Sequence, residues 1–454
     1  MWNEEMLLTT ATARKLYHEV AAGLPVIDFH NHLDVADLAE DRNFDGLCEL
    51  WVISDPYKHR AMRICGVPER LITGDAAPDE KFGAWADTLP KLAGNPLYDW
   101  SQLELKRVFG IDEALTPATA DAIRARADRM LGDREFSARN ILKRFNVAYS
   151  APCAALNDRV ESFPTIPGTV PSLRGDDIVA PTREFVNKLA ARSGTEIADF
   201  DGFREAIGKR LDVFHRAGCR IADHALDDGF RYFAGGESEA AELFLRSLDG
   251  TLPAADAAKL ASAILDLSIG EYAKRNWMLQ LHVGAHRRTS TRLRNLAGAA
   301  GGFAGIGRPC DIDSVVSLLD AAECGKYGLP RTILYTLNPA DHAALAVLAG
   351  AFPGDAVSGK IQLGPAWWYC DHPDGMRDQF EKTAAYGVLS QFIGMTTDSR
   401  SLLSFARHEY FRRVFCGWLG GKAERGEMPD DMEILRELVR AVCFENAKKY
   451  IGGI

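Results

Sequence analysis

The chain is short of several things, and each shortage removes a class of protein. No stretch of eighteen apolar residues occurs, so a membrane-spanning helix is not expected. Met1-Trp2-Asn3-Glu4-Glu5 carries no basic run of the kind that opens an export signal, and the expectation is a cytoplasmic protein. Nine cysteines are scattered without a CxxC pair, several of them inside apolar runs; they read as reduced core residues rather than a disulfide framework. Lysine and arginine number 53 against 63 aspartates and glutamates, a net charge of −10 without blocks. Nucleic acid and acidic membranes are therefore poor partners, and an anionic ligand must be held by a few local arginines. No glycine-rich phosphate turn follows an early apolar run, which counts against a doubly wound nucleotide-binding sheet, the main competing fold.

What is present is a 454-residue chain, 47% hydrophobic and 26% charged, enough for one large domain with insertions or for two domains. Short apolar segments at about 25–30, 145–151, 167–173, 218–223, 277–283, 332–337, 360–364 and 390–397 alternate with helical patterns. Eight strands interleaved with helices predict a (β/α)₈ barrel, an α/β fold whose chemistry sits at the C-terminal strand ends. More than a hundred residues separate the first two strands; residues 34–140 read as an inserted helical subdomain within a single domain spanning 1–454. The stretches at about 176–217 and 225–276 also look helical, and Ala297 to Gly307 is rich enough in glycine to read as a mobile loop.

The first strand ends in His30-Asn31-His32, and a two-residue period points both imidazoles at one spot, the usual reason for which is a metal ion. Two ligands do not make a site, and the eighth segment supplies a plausible third in Asp398. Other polar residues just past a strand are Arg174, Asp223 with His224, His282, Asn338, Trp367 with Trp368, and Arg400. Bland roles stand beside these. Tyr57 after Pro56 could be a turn residue, Arg174 an ion-pair partner of Asp176 or Asp177, His224 a satisfied interior histidine, and the two tryptophans core filling.

Longer blocks carry more information. Phe29-His30-Asn31-His32-Leu33, Asp55-Pro56-Tyr57-Lys58, Gly94-Asn95-Pro96-Leu97-Tyr98, Gly364-Pro365-Ala366-Trp367-Trp368, Thr397-Asp398-Ser399-Arg400-Ser401 and Arg407-His408-Glu409-Tyr410-Phe411-Arg412-Arg413 together resemble the uronate (glucuronate) isomerase family of the amidohydrolase superfamily. The resemblance runs from about residue 20 to Phe444-Glu445-Asn446-Ala447. It implies a distorted (β/α)₈ barrel of the amidohydrolase type and a small sugar-acid substrate. It also implies one divalent metal ion, zinc foremost, with manganese, iron and cobalt compatible.

The implied reaction interconverts aldose and ketose forms of a hexuronic acid, such as D-glucuronate with D-fructuronate or D-galacturonate with D-tagaturonate. A proton moves from C2 to C1 through a cis-enediol. By the same resemblance His30, His32 and Asp398 hold the metal, Asp398 doubles as base, and Tyr57 and Arg400 sit at the reacting oxygens. Arg174 captures the substrate carboxylate. His282 is either a substrate contact or a further metal ligand, and Trp368 is assigned to the substrate pocket. The run Arg407–Arg413 is expected as a helix over the barrel's bottom or edge with Arg412 and Arg413 in ion pairs. The fourth strand has no lysine, against a carbamate-bridged two-metal centre.

The chain departs from the family pattern where a Thr-Asp-Asp-Pro element is usual: Tyr149-Ser150-Ala151-Pro152-Cys153-Ala154-Ala155 has no carboxylate. It also reads Asp55-Pro56-Tyr57 for Asp-His-Tyr and Arg174-Gly175-Asp176 for Arg-Pro-Asp. Other readings are a metal-dependent hydrolase of the same superfamily, an isomerase or epimerase acting on a different sugar acid, and a sugar-acid binding protein without turnover. Homo-oligomerisation stays open.

Overall fold

β1 (Val26–Asn31) is buried at every position, as a strand covered on both faces must be. It opens a seven-stranded, all-parallel sheet with β2 (Val147–Ala155), β3 (Ser172–Arg174), β4 (Ile221–Leu226), β5 (Met278–Val283), β8 (Thr332–Thr336) and β9 (Ile361–Leu363) in that order. A two-stranded antiparallel hairpin, β6 (Ala285–His286) and β7 (Gly305–Ile306), lies between β5 and β8 in the chain. The computed structural model describes residues 3–299 and 301–452. Met1 and Trp2, and Ala300 of the glycine-rich stretch, lie outside the described residues. Of the stretch expected as a loop, Ala297 ends the helix Thr291–Ala297 and Gly305–Ile306 is β7.

Seven of the eight expected strands are strands; the eighth, 390–397, is not. That segment still runs beside β1: Asp398 N–H donates to His30 O (3.0 Å) and His32 N–H to Ser399 O (2.8 Å). A regular parallel ladder would return to the residue that made the first bond, so the pairing slips by one residue here. The cause is Asp398 itself, whose φ of 49° is left-handed. Side chains complete the tether. The Thr396 hydroxyl accepts from His30 N–H (2.8 Å) and donates to the buried Asp28 carboxylate (2.6 Å), which also faces His408 Nε2 at 3.3 Å. On the other side Ile393 N–H donates to the Gln362 side chain (2.9 Å). Gly394 permits this path, since its φ is +92° and a Cβ there would sit 2.2 Å from Val442 O.

Seven α-helices fill the chain between β1 and β2, from Val35–Glu40 to Ala138–Arg144. Their apolar faces share one cluster with the long helix Ala406–Glu424, so this layer is packed rather than appended. A second cluster joins β3, β4 and β5 to the helices Arg183–Ser193, Phe200–Arg216, Glu237–Leu248 and Ala254–Lys274. A third draws Ile27, Phe29, Tyr149, Ile221, Met278 and Tyr335 from five strands, and Tyr450 and Ile451 close it. Tyr450 O–H donates to Lys360 O (2.6 Å) at the start of β9, which sets this plug at the N-terminal strand ends. No helix among the described residues is long and apolar enough to cross a membrane.

Candidate active site

At the opposite, C-terminal strand ends lies a cavity of about 870 Å³. The eight residues given roles by the family resemblance all line it, namely His30, His32, Tyr57, Arg174, His282, Trp368, Asp398 and Arg400; Trp367 does too, whereas Asp223, His224 and Asn338 are not among its lining residues. Strand register accounts for much of this. β3 and β4 pair Arg174 with Asp223, and β4 and β5 pair Ala225 with His282, so the ends of successive strands stand side by side. Tyr57 arrives from the helix Pro56–Ile64, whose start is set by Pro56 and by Asp55. The Asp55 carboxylate accepts from the N–H groups of Tyr57 (2.9 Å) and Lys58 (3.2 Å).

Asp398 is the convergence point. Its Oδ1 lies 3.0 Å from His32 Nε2 and 3.3 Å from His30 Nε2. Its Oδ2 accepts from the indole N–H groups of Trp367 (2.9 Å) and Trp368 (2.6 Å). The sequence reading of this pair as core filling is therefore incomplete: both rings pack, and both also orient the carboxylate. Trp368, like Asp398, has a left-handed backbone (φ 45°), so two strained residues are bonded to each other. Burial pushes the Asp398 acid up, but the two imidazoles hold it well below the usual carboxylate range. A tetrahedral ion with bonds of about 2.0–2.1 Å sets its ligand atoms about 3.3–3.4 Å apart, so this nitrogen–oxygen spacing fits one shared cation.

Cys153 was read from the sequence as a core residue, and the structure corrects this. Its sulfur faces His30, and His30, His32 and Cys153 each present a ligand atom within 4.8 Å of the other two. Burial opposes ionisation of the thiol, but the two imidazoles bring it down to about 7. An isolated cysteine in an apolar strand carries no signal that would have placed it here.

The remaining candidates divide by partner. Arg174 pairs with Asp176 (2.7 Å) and with the fully buried Asp223 (3.3 Å), so its expected ion pair exists while the side chain still lines the cavity. Arg400 is exposed and makes no ion pair among the described residues. The Tyr57 hydroxyl is buried without a hydrogen-bond partner, and burial pushes the phenol up, so it stays protonated and able to donate. His282 stacks on Tyr335 (4.5 Å between centroids), and neither ring nitrogen is hydrogen-bonded. Burial, with His30 alongside, holds it well below the usual imidazole range and therefore neutral. His224 is interior, bonded to Tyr272 Oη at 2.9 Å, with its ring seated where a Cβ on Gly175 would be.

Two features escaped the sequence reading, and one expectation is corrected. Arg60, Arg287, Arg288 and Arg294 join Arg174 and Arg400 on the cavity wall, with Arg287 over the Trp368 ring. Arg407 is buried, pairs with Asp371, donates to Thr397 O (2.8 Å) and stacks over Trp100, which fixes the segment carrying Asp398. Arg412 donates to the carbonyls of Ala21, Leu24 and Pro25 instead of forming the expected ion pair, whereas Arg413 pairs with Glu409.

Against known proteins, the sequence model of the glucuronate isomerase family matches residues 1–451. A uronate isomerase of Marinomonas is 42% identical, with 99% of this chain and 98% of that protein covered. The crystal structure of a Thermotoga maritima uronate isomerase superposes with a TM-score of 0.93 at 29% identity over the whole of both chains. A Caulobacter crescentus glucuronate isomerase superposes at 0.91 and 25% identity, over 99% of this chain and 97% of that one. With the family model matched over nearly its whole length and a relative at 42% identity, this chain is an isomerase that belongs to the glucuronate isomerase family.

Proposed function

We propose that this protein interconverts the aldose and ketose forms of a hexuronic acid, with D-glucuronate/D-fructuronate and D-galacturonate/D-tagaturonate as the substrate pairs to test. The observation that carries the reading is a pairing of charges. A His–His–Asp cluster opens into a cavity walled by six arginines, on a chain whose net charge is −10. That concentration of positive charge suits a carboxylate, and the cavity volume suits a six-carbon acid.

In this reading His30, His32 and Asp398 hold one divalent ion, zinc foremost. When bound, the ion would grip and orient substrate oxygens and keep the Asp398 carboxylate ionised. The chain's own groups do the rest. Asp398 takes the proton from C2 and returns it to C1, while the hydroxyl proton passes from O2 to O1. Tyr57 and Arg400 donate hydrogen bonds to the oxygens as enediolate charge develops. Arg174 binds the C6 carboxylate through its planar fork. Neutral His282 and Trp368 contact the sugar. The fold is read as a single domain over 1–454, a distorted (β/α)₈ barrel in which the irregular segment before Asp398 takes the eighth strand's place and residues 34–140 form the helical subdomain. The compartment is read as cytoplasmic.

Proton NMR in deuterated buffer tests the chemistry. With D-glucuronate the expected result is a ketose in which the C2 hydrogen has moved to C1 or exchanged with solvent. A C2 hydrogen that stays in place through turnover would favour the hydrolase reading instead.

A further inference from the structure

Cys153 stands near the C-terminal end of β2, where the parallel register sets Pro152 beside Asn31 of β1 and Cys153 beside Ser172 of β3. Its Sγ is 3.6 Å from His30 Nδ1, 4.0 Å from His30 Nε2 and 3.8 Å from Asp223 Oδ1. One thiol hydrogen cannot serve both neighbours at once, and at 3.6 and 3.8 Å these are the separations of weak sulfur hydrogen bonds. They suit another role. An ion bonded to nitrogen at about 2.0–2.1 Å and to sulfur at about 2.3 Å in a tetrahedron spaces the two ligand atoms about 3.5–3.6 Å apart; from His30 Nε2, the nitrogen that faces Asp398, Sγ stands at 4.0 Å, so ion binding draws the sulfur in by a few tenths of an ångström. Among the described residues, His30, His32 and Cys153 each offer a ligand atom within 4.8 Å of the other two, and no other cysteine belongs to such a cluster.

We propose that Cys153 is a thiolate ligand to the divalent ion held by His30, His32 and Asp398. This rests on the reading above that the cluster binds one such ion. Two consequences follow from ligand chemistry. A sulfur ligand favours zinc, and disfavours manganese, which prefers oxygen. Thiolate and carboxylate together also neutralise a dipositive ion, so attraction of an anionic substrate falls to the arginines of the cavity wall rather than to the metal.

Zinc X-ray absorption on the whole protein tests this, with zinc restored to one equivalent after chelation. The wild type should show one sulfur scatterer at about 2.3 Å beside nitrogen and oxygen at about 2.0–2.1 Å. Cys153→Ala, checked for native circular dichroism, should lose the sulfur scatterer. Competition with a chelator should show zinc bound about 10–100-fold more weakly by the variant, with manganese binding little changed. Zinc bound at one equivalent through nitrogen and oxygen alone, or sulfur that persists in Cys153→Ala, overturns the ligand assignment and leaves the metal reading standing. Failure of the wild type to bind zinc stoichiometrically overturns both.

Discussion

Tyr57 offers a clean test at the scale of one residue, because its hydroxyl is buried with no partner inside the protein. Tyr57→Phe removes nothing that the fold uses. If the hydroxyl meets the developing enediolate, kcat falls by about 10²–10³ while KM and melting temperature change little, in steady-state kinetics and a thermal melt. Arg174→Met should act differently. It leaves the buried Asp223 without its cation, and if Arg174 also clamps the substrate carboxylate, KM rises and the melting temperature falls together. Sequence legibility at this scale followed chemical type. His30, His32 and Asp398 could be picked out because two imidazoles and a carboxylate at strand ends have few other uses. The place of Cys153 beside them could not, since a thiol in an apolar run and one that faces two imidazoles look alike in a string. The indole N–H groups of Trp367 and Trp368 were hidden for the same reason: apolar bulk is the commoner reason for tryptophan in a core.

At the scale of the element, the segment leading into Asp398 shows where pattern and structure part. Phe392-Ile393-Gly394-Met395 is apolar enough for a strand, and burial confirms an interior path. Apolarity reports burial, however, and a ladder needs continuous extended backbone. The left-handed Gly394 and Asp398 interrupt it. Gly394→Ala is predicted to be costly, since a methyl group would meet Val442 O and the backbone conformation itself is strained for alanine. A loss of about 1–3 kcal/mol or more is expected in urea unfolding, with reduced kcat, because the same segment carries Asp398. Asp55 before Pro56 and Asn95 before Pro96 are helix caps, and the sequence reading took Tyr57 there only as a possible turn residue because a cap and a turn use the same residue types. The hairpin of β6 and β7 left no sequence signal, because two residues per strand are too few for a period.

Across the whole molecule, charge is divided by function. The chain is acidic overall, the cavity is rimmed with arginine, and the N-terminal segment is fastened by a separate network. Arg107 joins Glu4 (2.8 Å) to Glu409 (2.7 Å), and Arg413 joins Glu409 as well (2.8 Å). The Arg107 guanidinium holds Glu4 at about 2; for Glu409, burial works upward, but Arg107 and Arg413 hold it below the usual glutamate range. Folded-state values below the unfolded value of 4.5 mean stability that is present above pH 4.5 and lost as pH falls from there towards 2. Glu409→Gln should therefore lower stability at pH 7 by about 1–3 kcal/mol, and the gap to wild type should narrow through that acid window in pH-resolved melts. The parallel order of the sheet was legible from the alternation of strand and helix. The packing of residues 34–140 against the distant helix Ala406–Glu424 was not, because such contacts join parts of the chain that periodicity treats separately.

One comparison bears most directly on the account as a whole: turnover of a panel of uronic acids by the metal-loaded protein and by its His30→Ala, His32→Ala double variant. The account predicts that at least one uronate is converted to its ketose by the first and none measurably by the second. Full activity in the double variant would contradict it.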